Sequence, residues 1–208
     1  KLYSPLINKG AKFFTTTRRG AELIKYASNA FLATKITFIN EIANLCEQSG
    51  INVEDVALGI GSDSRIGGRF LRARPAYGGS CFPKDTKGLV STADRYKTNL
   101  SIVKTVIKSN NERIGILIKR VHKILGKNLK RKRISVLGVT FKPNTDDMRD
   151  STSLKMIPYL CKQGAIIKYY DPSGQKNEFK NLVHCEFKKN IEESCLKADL
   201  IILLTEWD

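Results

Sequence analysis

The stretch ISVLGVTFKPNTDDMRDSTSLKMIPYLCKQGAIIKYYDP, residues 134–172, decides how this chain is read. It opens on the apolar run ISVLGVTF (134–141); Ser151 or Thr152 then offers a helix start, Gly164 a stop, and AIIKYYDP (165–172) a second strand. Strand, helix and strand in so short a span make a βαβ unit with parallel strands. Further on, a helix starting near Asn190 and the run ADLIILL (198–204) continue the alternation. Residues 127–208 are therefore expected to form the first half of a doubly wound, Rossmann-like parallel sheet in an α/β chain. The segment GVTFKPNTDDMRDS (138–151) falls beyond the carboxyl end of the first strand, where such sheets bind nucleotides. It lacks the GxGxxG fingerprint, because only Gly138 lies in the turn, and Lys142 and Arg149 stand instead as candidate phosphate contacts. Asp146, Asp147 and Asp150 surround Arg149 with no His nearby, which reads as an ion-paired capping loop rather than a metal site.

Upstream the pattern is helical. Ile24, Ala27, Phe31, Ile39, Ile42 and Cys46 recur mostly at three- and four-residue steps, and Gly50 follows, which predicts one long helix over residues 21–48. Asn52 can cap a short helix over 53–60. GIGSDSRIGGRFLRARPAYGGS (59–80) then holds six glycines, a loop-rich region where backbone can approach a ligand closely. Pro83 suits a first helical position, for a helix over 83–96, and a further helix with Ile102, Val106, Ile114, Leu117, Val121 and Leu125 on one face stops at Gly126. The long helix has apolar residues on more than one face, so it is expected to lie between layers, along a subunit two-fold.

Length and composition set the bounds. With 208 residues, 41% of them apolar, the chain can bury a sizeable core. The net charge of +16 and pI near 9.7 favour anionic partners without choosing among them. The run KRKR (130–133) has no interleaved aromatics, so nucleic-acid binding has no motif behind it. No apolar run approaches the length of a membrane span or a signal peptide, and a cytoplasmic protein is expected. Five cysteines without a CxxC pair argue against a disulfide framework and a structural zinc site.

Two groups of residues could carry chemistry. Cys81 in YGGSCFPKD sits at a helix start, where unpaired N–H groups, the helix dipole and Lys84 favour thiolate over thiol. Asp85, one turn further on, could orient a water near the sulfur, although it could equally be a first-turn carboxylate. Lys25 and Asn29 share a face of the long helix with Leu32 and Ile36, so partial burial of Lys25 is expected, with partners or altered basicity.

The segments AELIKYASNAFLATKITFINEIA (21–43), IGSDSRIG (60–67), YGGSCFPKDT (77–86), VLGVTFKPNTDDMRDS (136–151), YDP (170–172) and TEWD (205–208) resemble, in this order, those of the nucleotide-sugar 6-dehydrogenases. Tyr77 with Ser80, Phe82 and Pro83 resembles the branch that acts on UDP-glucose; the GDP-mannose and UDP-N-acetylmannosamine branches share the layout. The resemblance implies a two-step oxidation of a primary alcohol to a carboxylate with NAD as cofactor and no metal. It implies Cys81 as nucleophile, Lys25 and Asn29 as stabilisers of the reacting oxygen, and Asp85 as the partner of water in proton transfer. It implies substrate contacts from Phe70, Leu71, Arg72, Ala73, Arg74, Tyr77, Gly78, Phe141 and Lys142, and cofactor contacts from Lys84 and Arg149. Arg65 is implied to reach the substrate of a neighbouring subunit in a homodimer.

The resemblance further implies three regions: 1–17 as the tail of an NAD-binding domain, 18–126 as a central helical dimerisation domain with the cysteine, and 127–208 as part of a UDP-binding domain. The GxGxxG turn of the family is expected before residue 1, and the rest of the second sheet after residue 208. A non-catalytic dimerisation and nucleotide-binding module is the competing reading.

Overall fold

The computed structural model describes residues 2–207. A short helix α1 (Ser4–Asn8) precedes the long helix α2 (Arg18–Ser49). Helix α2 has 32 residues rather than the 28 expected, because Thr17 caps it by accepting from the Gly20 amide at 3.1 Å; Gly50, with φ 71°, closes its other end. Helix α3 (Val53–Gly61) is capped by Asn52, which accepts from the Glu54 amide. Helices α4 (Phe82–Arg95) and α5 (Ser101–Leu125) complete the helical part.

The second part runs β1 (Arg133–Leu137), α6 (Ser153–Lys162), β2 (Ile166–Tyr170), β3 (Cys185–Phe187), α7 (Ile191–Cys195) and β4 (Leu200–Leu203). All strand pairs are parallel, in the order β3-β2-β1-β4. The chain therefore turns to β2 and β3 on one side of β1 and to β4 on the other. This makes the gap beyond the ends of β1 and β4 the switch point of the sheet. Strand β3 and helix α1 escape the sequence reading; β3 has only three residues, too few to show an alternation.

The core of this part joins Ile134 and Val136 of β1, Ile167 and Tyr169 of β2, and Ile157 and Leu160 of α6, all essentially inaccessible. Burying each such side chain stabilises by about 1.5–3 kcal/mol. A smaller cluster of Ala33, Ile36, Tyr77 and Val106, with Phe82 against it, joins α2 and α5 directly beneath the cysteine loop.

Helix α2 is covered on one side by α3, α4 and α5. On another it leaves Ile24, Phe31, Phe38 and Leu45 between 49% and 66% exposed, one at every seventh residue. The helix thus bears two apolar faces as expected, but the chain itself covers only one of them. Among the described residues no helix is long and apolar enough to cross a membrane.

Candidate active site

Two strand ends and the start of α6 fix the turn after β1. Asp171, at the end of β2, is buried and accepts from the amides of Val139 at 2.7 Å and Thr140 at 3.3 Å. Ser151 and Ser153 both donate to the Val139 carbonyl, and Thr205, just past β4, donates to the Thr140 carbonyl. The buried amides and carbonyls of Val139 and Thr140 are thereby met by side chains. The turn delivers Phe141 and Lys142 to the switch point, with the Lys142 ammonium 5.5 Å from the Phe141 ring centroid.

Against this turn the helical part packs its glycine pair. The Gly79 amide donates to the Arg149 carbonyl at 2.8 Å. Gly79 has φ 78°, and a Cβ there would lie 2.6 Å from the Phe141 ring; one on Gly78 would lie 2.4 Å from the Asp150 carbonyl oxygen. Only residues without a side chain admit this approach. The seam bounds a cleft of about 690 Å³ into which Cys81 opens.

Cys81 is exposed and stands at the N-cap of α4, with Ser80 Oγ 3.7 Å from its sulfur. Behind it, Lys25 donates to the Asn29 side chain at 3.3 Å, Asn29 donates to Asp85, and Asp85 pairs with Lys84 at 2.7 Å. Burial pushes the Asp85 carboxyl up, but the hydrogen bonds from Lys84 and Asn29 and the charges of Lys84 and Lys25 outweigh it, so it is held below the usual carboxylate range. Asp85 thus stays ionised at neutral pH. Lys84 is held in its charged form, first by its hydrogen bond to Asp85 and in smaller part by the nearby Cys81 sulfur. Arg149 is held likewise, first by Asp147 and in smaller part by Cys81. Two exposed cations therefore flank the thiol. Lys25 departs from expectation: it is exposed, whereas Asn29 and Ile36 further along that face are buried.

Residues 19–112 match the central domain of the UDP-glucose/GDP-mannose dehydrogenase family, and residues 135–208 match the UDP-binding domain of the same family. The chain belongs to that family. It is 48% identical over 208 residues to the UDP-glucose 6-dehydrogenase of Rhizobium meliloti (strain 1021), covering all of this chain and 48% of that protein. To a UDP-glucose 6-dehydrogenase of Bacillus subtilis (strain 168) it is 47% identical over 197 residues, 93% of this chain and 44% of that one. The UDP-glucose dehydrogenase structure from Pyrobaculum islandicum superposes with a TM-score of 0.86 at 33% identity, over 92% of this chain and 44% of that one. The chain spans about half the length of the relatives it matches.

Of the residues singled out by family resemblance, Phe70, Arg72, Arg74, Tyr77, Gly78, Phe141 and Lys142 line the cleft with Cys81. Phe70 adopts φ 67°, a left-handed conformation that strains a residue of its size. Leu71 and Ala73 do not line this cleft but a second one, between α3 and the end of β4, which Arg72 also lines. Lys25, Asn29 and Asp85 stand behind Cys81 rather than in the cleft, and Lys84 and Arg149 stand at its edge. Arg65 lies outside the cleft, exposed and forked onto Asp63 at 3.0 and 2.6 Å. Asp146 and Asp150 make no ion pair with Arg149; Asp147 alone does, bidentately. The sequence reading gave no role to Glu206, which faces Arg74 at 3.5 Å and Arg72 at 3.6 Å across the domain seam. Only the fold could have shown that, since TEWD lies more than 130 residues from the two arginines in the sequence.

Proposed function

We propose that this chain is the nucleophile-bearing and UDP-sugar-binding half of a UDP-glucose 6-dehydrogenase. The observation that carries this reading is that an exposed cysteine opens into the same cleft as the basic and aromatic groups of both matched domains, Arg72, Arg74, Phe141 and Lys142. The cations suit a pyrophosphate and the aromatic rings suit a base or sugar face. Family resemblance divides the chain into residues 1–17, 18–126 and 127–208, and the matches at 19–112 and 135–208 support the latter two.

In this reading the Cys81 sulfur adds to the aldehyde carbon of the half-oxidised sugar, and the adduct is oxidised to a thioester. Water then releases the carboxylate and returns the thiolate. The Asn29 amide and the Lys25 ammonium orient the ionised Asp85 and a water beside it, and Asp85 takes the proton from that water as it attacks. Lys84 and Arg149, exposed on either side of the thiol, fit the anionic groups of NAD, which when bound supplies the hydride acceptor in both oxidations.

The exposed heptad stripe on α2 supports a homodimer through that helix, with a second copy covering Ile24, Phe31, Phe38 and Leu45. Arg65, exposed and away from its own cleft, is on this reading the residue that serves the neighbouring one.

The test uses the full-length protein that carries this chain, assayed with UDP-glucose, GDP-mannose and UDP-N-acetylmannosamine. Two NADH per UDP-glucose consumed, with little turnover of the other two, are expected. Cys81→Ser should abolish acid formation while UDP-glucose still binds, because an ester releases its alkoxide less readily than a thioester its thiolate. Near-normal acid production by that variant would sink the thioester route.

A further inference from the structure

Between Leu71 and Gly78 the loop that lines the cleft has no regular structure, yet its backbone is tightly held. The Arg74 amide donates to Asn40 Oδ1 at 2.7 Å, and the Arg74 carbonyl accepts from Arg113 Nε at 2.9 Å. The Tyr77 amide donates to Asn110 Oδ1 at 2.9 Å, and the Tyr77 carbonyl accepts from Asn110 Nδ2 at 3.1 Å. All four main-chain groups are met by side chains from two helices, Asn40 from α2 and Asn110 and Arg113 from α5. Arg113 further ties the helices together, since its Nη1 donates to the Asn40 carbonyl and to Asn44 Oδ1, both at 3.1 Å.

We infer that Asn40, Asn110 and Arg113 form a clamp on the backbone of residues 74–77 and are positioning residues for the nucleotide-sugar loop. Family resemblance assigns none of the three, and none lines the cleft. The inference rests on the reading of that loop given above.

The energetics favour a positioning role over a merely cohesive one. Arg113 is 6% exposed, and its hydrogen-bonded acceptors are all neutral oxygens. Burial pushes its pKa down to about 10, so a desolvated cation is retained where an apolar side chain would pack at less cost. What the guanidinium supplies, and an apolar group or an ammonium does not, is a planar fork that fixes two carbonyls from different elements in one geometry. Asn110 performs the same service at Tyr77 with a donor and an acceptor on one amide. Because the clamp grips the main chain, it leaves the side chains of Arg74 and Tyr77 available to line the cleft. Arg74 is held at one end and Tyr77 at the other, with Pro75, which has no amide hydrogen to offer, between them. Four residues beyond Tyr77 comes Cys81, so the clamp also sets the approach of the chain to the nucleophile.

The experiment measures amide hydrogen exchange over residues 72–79 and steady-state kinetics with UDP-glucose in the full-length protein and in its Asn110→Ala, Arg113→Ala and Arg113→Lys variants. Exchange in this segment should quicken at least tenfold, and KM for UDP-glucose should rise by about tenfold with kcat nearly kept, the loss expected for one or two hydrogen bonds. Arg113→Lys keeps the charge but lacks the fork, and should resemble Arg113→Ala. If Arg113→Ala fails to fold, Asn110→Ala, whose side chain is only half-buried, carries the test alone. Unchanged exchange in the segment overturns the clamp, and faster exchange with unchanged KM overturns its positioning role. Failure of the unsubstituted protein to bind UDP-glucose overturns the functional reading instead, and the exchange rates then decide the clamp by themselves.

Discussion

The Asn29 amide donates directly to the Asp85 carboxylate, 56 residues further along the chain, and so fastens α2 to the first turn of α4 beneath Cys81. Because Asp85 is held below the usual carboxylate range, its contribution is fully present above the pKa of an unfolded aspartate and is lost as pH falls through its lower folded value. Asp85→Asn should therefore cost about 1–2 kcal/mol at pH 7. Thermal unfolding of both proteins from pH 7 downward should show the gap closing only below about pH 4. A gap that persists unchanged at pH 2 would mean that packing, not charge, holds this contact.

Gly79→Ala tests the seam. The new Cβ would meet the Phe141 ring and sit on a backbone at φ 78°, so the substitution should destabilise by roughly 1–3 kcal/mol. In the full-length protein it should also weaken UDP-glucose binding by displacing Phe141, as isothermal titration would read directly. Wild-type affinity together with wild-type stability would show that the two parts do not pack through this glycine.

Lys142 and Arg149 are both cations of one loop, but they face different surroundings. Lys142 lines the cleft, whereas Arg149 is forked onto Asp147 at its edge. Lys142→Ala should raise KM for UDP-glucose about tenfold or more with little effect on KM for NAD, and Arg149→Ala should do the reverse. Parallel losses for both ligands would refute this division.

The stripe on α2 gives an assembly prediction. Phe31→Glu combined with Phe38→Glu places two carboxylates where a second copy would bury apolar rings, and should halve the mass seen by sedimentation velocity while leaving helix content intact. An unchanged dimer would move the interface elsewhere.

The elements with strong local signals were legible before any coordinates. The cap at Asn52, the stop at Gly50, the βαβ unit and the place of Cys81 at the head of α4 all follow from residues within a turn or two of the feature. What stayed hidden depends on contacts between distant segments. The exposure of Lys25 depends on which neighbouring elements cover α2 at that point, and no periodicity within α2 encodes that. Glu206 and Arg113 have partners more than thirty residues away, and their charges read locally as ordinary surface charges. Strand β3 takes its identity from pairing with β2 rather than from its own three residues. For the site, the family's ordered segments named several of the cleft-lining residues, but that Leu71 and Ala73 line a second cleft needed the loop's path in space.

The hydrogen bond from Gly79 to Arg149 joins residues 70 positions apart, and that separation bears on how the protein comes into being. Helices α2 to α5 can form from neighbouring residues as they leave the ribosome, but the wall of the cleft opposite Cys81 does not exist until β1, its turn and β2 have been synthesised and paired. A nascent chain halted before residue 150 would therefore display its thiol at a helix end with half of its surroundings unmade. Completion of the cleft around Cys81 is in this sense a late event in the synthesis of this segment, tied to the arrival of the second domain.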